Sequence, residues 1–217
     1  MLIDRMLSIS PVIPVVTIAD PSHAVPLARA LLEGKVGIME VTLRTASALS
    51  AIERIATHVP EMTILAGTVC TGTQVRDCLQ AGAAAMVSPG ITDRLASAVE
   101  AHHATWLPGI SSASGIMRGL ELGLRRFKLF PASVAGGPDA LRAFAGPFPA
   151  VRFCPTGGID RNSSVRYLEL VNVACIGGSW VAPDGLVQAE DWATIRRNAE
   201  YSSSLRPMPP SSRPGGT

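Results

Sequence analysis

Apolar residues in this chain gather into short runs, separated by longer stretches in which they recur every third or fourth position. The runs span residues 12–17, 38–43, 63–66, 84–88, 105–107, 126–130, 151–155 and 173–177. Three to six residues is strand length, and the Val, Ile and Thr within these runs fit that reading. The stretches between them, at 22–33, 46–58, 72–81, 92–101, 112–122, 138–144 and 162–169, have helical spacing. Several open on a residue suited to capping a helix, such as Ser22, Asp93, Ser112 or Asn162. A further helix is expected at 192–199.

Strands alternating with helices predict a parallel sheet, and eight runs apolar on both faces predict its closure into a (β/α)8 TIM barrel. An open, doubly wound sheet is the competing fold. It is disfavoured because no G-x-G-x-x-G follows the first strand, where a dinucleotide fold carries one. We therefore expect one α/β barrel domain over residues 1–200. Residues 201–217, dominated by Ser, Pro, Gly and Arg, read as a disordered tail without evident chemistry.

Composition fits a single core: 47% of the 217 residues are hydrophobic and 17% charged. The formal net charge of +2 is scattered along the chain, which gives no footprint for nucleic acid or an anionic membrane. No apolar run approaches the roughly 20 residues of a membrane span. Residues 1–10 include Asp4 and Arg5 and are too charged for a secretory signal. Cys70, Cys78, Cys154 and Cys175 form no C-x-x-C pair and suggest neither disulfides nor a zinc site, so they read as small buried or half-buried hydrophobes. A soluble cytoplasmic protein is expected.

Among nineteen basic residues only Lys35 and Lys128 are lysines, and Lys128 lies inside the apolar run at 126–130. A guanidinium stays protonated, whereas an amine crowded by apolar groups can shed its proton and attack a carbonyl. Lys128 is thus a candidate Schiff-base former, the alternative being a stem that snorkels to the surface. In a barrel, chemistry belongs at the C-terminal strand ends and phosphate sites after strands seven and eight. Strand seven runs into Thr156-Gly157-Gly158 and strand eight into Gly177-Gly178-Ser179, whose glycines allow backbone N–H groups to approach an anion. Tight loops alone are the blander explanation of either pair. Strand two presents Glu40, Thr42 and Arg44 on one side, strand three ends at Thr68, and strand four at Ser88-Pro89-Gly90. Charged groups inside a barrel are costly unless paired or functional, and an ion pair from Glu40 to Lys128 or to Arg44 would neutralise them.

The strings EVTLR at 40–44, GTV at 67–69, SPG at 88–90, PGI at 108–110, FKLFPA at 127–132, RFCPTGGI at 152–159 and CIGGSW at 175–180 closely resemble 2-keto-3-deoxy-6-phosphogluconate (KDPG) aldolase. The resemblance covers residues 10–200. It implies a class I aldolase, without metal or other cofactor, that cleaves 2-keto-3-deoxy-6-phosphogluconate to pyruvate and glyceraldehyde 3-phosphate, the last step of the Entner-Doudoroff pathway. By position Lys128 would form the Schiff base and Glu40 would be the general acid and base. Arg44 and Thr68 would bind the carboxylate, Pro89, Phe130 and Thr156 would line the pocket, and Gly157, Gly158, Gly178 and Ser179 would hold the phosphate. The family also implies a homo-oligomer, commonly a trimer.

Two departures from the family pattern are peripheral. Ala19-Asp20 follows strand one where relatives commonly carry a basic or otherwise polar pair, and Lys35 interrupts the Gly-rich turn after the first barrel helix. Rival functions are an aldolase for the galactonate epimer or for 4-hydroxy-2-oxoglutarate, and a phosphate-binding barrel isomerase or epimerase that forms no covalent adduct. A metal-dependent aldolase needs converging His or carboxylate ligands. His23, His58, His102 and His103 do not fall at strand ends, so structural or surface roles are expected for them.

Overall fold

The computed structural model describes residues 2–205. Eight strands, β1 (Val12–Val16), β2 (Ile38–Thr42), β3 (Thr63–Gly67), β4 (Ala85–Ser88), β5 (Trp106–Ile110), β6 (Arg126–Leu129), β7 (Arg152–Phe153) and β8 (Ile176–Gly178), pair in parallel in the order β7-β6-β5-β4-β3-β2-β1-β8. Bridges Phe153 to Val173 and Thr156 to Gly177 join the two ends of that order. The Gly177 N–H donates to the Pro155 carbonyl at 2.8 Å and the Ala174 N–H to Phe153 at 2.9 Å. The sheet is thereby closed into the expected (β/α)8 barrel.

Helices α1 (Leu2–Leu7), α2 (Ala24–Glu33), α3 (Ala48–His58), α4 (Gly72–Gln80), α5 (Asp93–Ala101), α6 (Ala113–Glu121), α7 (Gly137–Ala145), α8 (Ser164–Leu168), α9 (Asp184–Gln188) and α10 (Trp192–Ser204) complete the order. All five β2 residues are buried, but to different ends. Met39 and Val41 join the apolar layer between strands and helices, while Ile38 joins a second cluster with Ile13, Leu65, Val87 and Leu107 inside the barrel. Alternation puts Glu40 and Thr42 on the inner side above Ile38. The polar residues therefore stack over an apolar plug.

Helix α1 supplies the rest of that plug and was not anticipated. Its Ile3, Met6 and Leu7 pack into the interior cluster, and Arg126, at the start of β6, donates to the Asp4 carboxylate. Burial alone would raise the Asp4 carboxyl, but the guanidinium outweighs it and holds the group below its ordinary value. Charge at 1–10 concealed an apolar i, i+3, i+4 face only six residues long. Leu7 is 2% exposed. Leu7→Ala is expected to destabilise the barrel by about 2–4 kcal/mol, read as a lower urea midpoint.

Other boundaries shift for local reasons. Strand β5 runs through Pro108 and Gly109 to Ile110, three residues beyond the expected end. Asp20 caps a 3-10 turn at Pro21–His23 that contains Ser22, Thr92 rather than Asp93 caps α5, and Ser163 rather than Asn162 precedes α8; Ser112 caps α6 as expected. Helix α10 continues to Ser204 with Ser202 fully buried, so residues 201–204 are not part of a disordered tail. The remaining tail positions, 206–217, lie outside the described residues. Cys78, Cys154 and Cys175 are buried as expected, whereas Cys70 is exposed, beside the capping box at Thr71. The hydrogen bond with Cys154, then burial, pushes the Cys175 thiol well above its ordinary value, so it stays protonated.

Candidate functional site

Lys128 and Glu40 meet inside the barrel. Lys128 Nζ donates to Glu40 Oε1 at 2.8 Å and Oε2 at 3.1 Å, and the side chains are 6% and 5% exposed. The lysine does not snorkel outward. Its strand neighbour is Gly109, and the Phe130 ring centroid lies 5.2 Å from Nζ. Gly67 on the adjacent strand makes room for the carboxylate, because a Cβ there would overlap Glu40 Oε1. Gly67→Ala is therefore expected to push Glu40 off Lys128 and lower turnover at least tenfold, with the melting temperature showing that the barrel still folds.

Beyond the Phe130 ring from this pair opens a cavity of about 600 Å³, lined by residues from the β1, β2, β6, β7 and β8 ends though not by Lys128 or Glu40 themselves. Arg44 lies on one side, exposed, and among the described residues no carboxylate pairs with it. Its expected alternative, a Glu40 to Arg44 ion pair, does not form. Gly157, Gly158 and Ser179 lie on another side, and Phe130 and Thr156 line the cavity with them. Gly157 (φ 101°) and Gly158 (φ 70°) take a backbone conformation that L side chains avoid. A Cβ on Gly158 would also overlap the Ser133 hydroxyl.

The remaining predicted residues lie outside the lining. Gly178 is turned away beneath Trp180, whose Nε1 would sit 2.7 Å from a Cβ at that position, and Gly177 faces the cavity instead. One-residue alternation along β8 explains the exchange. Thr68 follows Gly67 in left-handed backbone (φ 62°), next to the Glu40 carboxylate's strand. Pro89 is exposed, with its carbonyl packed over Gly109.

Thr17, Trp180 and Asp184 also line the cavity and were not singled out from sequence. Of these Thr17 carried a signal, as the only polar side chain in the 12–17 run. Among the described residues, no group of three or more His, Cys, Asp or Glu side chains lies close enough to hold a metal ion. His23 stacks edge-on against Trp192 and lies 3.4 Å from Glu190, His58 bonds the Arg54 carbonyl at 2.9 Å, and His102 and His103 are exposed.

The family model described as KDPG and KHG aldolase matches residues 3–198. The 2-dehydro-3-deoxy-phosphogluconate aldolase of Pseudoalteromonas atlantica is 48% identical over 192 residues, 88% of this chain and 89% of that protein. The KHG/KDPG aldolase of Escherichia coli K12 is 45% identical over 196 residues, 90% of this chain and 92% of that protein. Among solved structures, KDPG aldolase from Legionella pneumophila, with pyruvate captured at low pH as a covalent carbinolamine intermediate, is similar at a TM-score of 0.91 and 43% identity. That match covers 93% of this chain and 98% of the other.

Proposed function

The chain belongs to the KDPG and KHG aldolase family, and from that membership we propose that it is an aldehyde-lyase cleaving 2-keto-3-deoxy-6-phosphogluconate to pyruvate and glyceraldehyde 3-phosphate through a Schiff base on Lys128. The observation that carries the reading is the buried Lys128–Glu40 contact beside a cavity with the Arg44 guanidinium, unpaired among the described residues, on one side and a left-handed glycine loop on the other. Glu40 takes a proton from Lys128, and the freed amine adds to the C2 carbonyl. Glu40 returns a proton to the carbinolamine oxygen, water leaves, and a protonated imine remains. Loss of the C4 hydroxyl proton, through Glu40 or a water that it holds, breaks the C3–C4 bond. The electron pair moves into the imine to give an enamine, and the aldehyde departs. Protonation at C3 and hydrolysis then release pyruvate and restore the amine.

Arg44 binds the carboxylate through its planar fork, with Thr68 beside it. The Gly157-Gly158 loop receives the phosphate, since backbone turned through such conformations aims successive N–H groups at one point, and the Ser179 end of β8 completes the site from the neighbouring strand. The iminium is the electron sink, so no metal is required and turnover is unchanged by EDTA. The enzyme acts in the cytoplasm as a homotrimer, which sedimentation velocity checks as one species of three chain masses. The deciding assay follows pyruvate release from the gluconate-series substrate, its galactonate epimer and 4-hydroxy-2-oxoglutarate. The highest kcat/KM is expected for the first; failure to release pyruvate from any of them, or to form a borohydride-reducible pyruvate adduct, would overturn the reading in favour of a non-covalent isomerase.

A further inference from the structure

We propose that Thr17 determines specificity by accepting a hydrogen bond from the C5 hydroxyl of the substrate, an inference that rests on the aldolase reading above. Proton bookkeeping at the end of β1 is the starting point. Thr42 is 1% exposed, and its hydroxyl lies 3.0 Å from the Val16 carbonyl and 3.1 Å from Thr17 Oγ1. A carbonyl can only accept, so the single Thr42 proton goes to Val16. Thr17 must then be the donor in the contact between the two hydroxyls. Its proton is committed to Thr42, and only lone pairs remain for the cavity that Thr17 lines. Thr17 is therefore an acceptor without a donor, although it is a hydroxyl.

Position selects the substrate atom. Strand β1 pairs with β8 on one side and β2 on the other, which puts Thr17 between the Gly177 to Ser179 segment and Arg44. With the phosphate at the first and the carboxylate at the second, the middle carbons of the chain pass Thr17. Two of them, C4 and C5, carry hydroxyls. Cleavage turns the C4 hydroxyl into a carbonyl oxygen, which cannot donate and would meet the Thr17 lone pairs unfavourably. The C5 hydroxyl remains a donor from substrate to product and suits an acceptor-only partner throughout. Because C4 epimers share C5, Thr17 recognises the glyceraldehyde phosphate half without choosing between the gluconate and galactonate series.

The test runs the reaction backwards, condensing pyruvate with glyceraldehyde 3-phosphate or with 3-oxopropyl phosphate, which lacks the hydroxyl. Thr17→Val is isosteric and leaves Thr42 bonded to Val16, so the fold has no buried polar atom orphaned by it. Thr17→Val is expected to lower kcat/KM for glyceraldehyde 3-phosphate about tenfold and to leave the deoxy aldehyde unchanged, erasing the preference, with Thr17→Ser restoring it. Exchange of deuterium into the pyruvate methyl, which needs the Lys128 adduct and the Glu40 base but no aldehyde, should be the same in all three proteins. Equal losses for both aldehydes, an unchanged preference or slowed exchange would each overturn the proposal. Absence of a pyruvate adduct in the unsubstituted protein would instead remove the aldolase reading itself.

Discussion

Lys128→Ala is expected to abolish aldol cleavage, with kcat falling by at least on the order of 10,000-fold, and to leave no pyruvate adduct after borohydride reduction. The size of the loss follows from what the amine supplies. Without it C3–C4 cleavage would leave its electron pair on a neutral ketone, and the chain's other lysine does not line the cavity. Lys35 is the other lysine of the chain and lies exposed in the turn after α2 in left-handed backbone (φ 63°). Mapping the reduced adduct to the peptide containing Lys128 rather than Lys35 completes the assignment. Because removing one partner of a buried ion pair costs about 3–5 kcal/mol, the alanine variant is also expected to melt earlier. Lys128→Arg separates the two effects, since it keeps a cation beside Glu40 yet cannot form an imine. A folded Lys128→Arg protein that still traps pyruvate would sink the Schiff-base assignment.

The barrel was legible because its strands are buried on both faces and its polar residues interrupt them at strand ends. Glu40 and Lys128 each stood out as a charged group in an apolar run, and both are buried. What strand periodicity does not encode is which neighbouring side chain must be absent. Gly67 makes room for the Glu40 carboxylate from the adjacent strand, and Gly109 lets the Pro89 carbonyl pack over the strand beside Lys128, relations visible only once register pairs Gly109 with Lys128 and Gly67 with Thr42. Alternation likewise decides between Gly177 and Gly178, and the boundary of β8 was too short a run to set it from sequence. Helix α1 escaped because one and a half turns of amphipathic spacing are outweighed, in any reading of the first ten residues, by Asp4 and Arg5. Its packing under the barrel explains how an interior that carries a charged pair at one end is plugged by apolar side chains at the other.

In the reaction proposed for this chain, proton traffic converges on one carboxylate. Both oxygens of Glu40 are within hydrogen-bond distance of Nζ, so the group that neutralises Lys128 at rest is also placed to take its proton at the first step. Stability alone would favour apolar residues at both positions, since a buried pair seldom gains enough from its own attraction to offset desolvation. On the proposed mechanism, the pair's value lies in the reaction.

Glu40→Gln isolates that value by keeping the shape and most of the hydrogen-bonding capacity of the side chain while removing its basicity. Turnover is expected to fall by about 100- to 10,000-fold, the usual contribution of a positioned acid-base group. The order of effects along the pathway is the sharper expectation. Imine formation with pyruvate slows but still goes to completion, because solvent can deliver the protons given time, so borohydride traps the same adduct on Lys128. Deuterium exchange at the pyruvate methyl, which needs a proton moved to and from C3 on every cycle, falls along with turnover. Glu40→Asp draws the carboxylate back by one methylene from a contact of 2.8 Å and should fall between the two, since basicity survives and placement does not. Normal exchange and turnover in Glu40→Gln would assign the proton transfers to another group and leave the Glu40–Lys128 contact with a purely structural role.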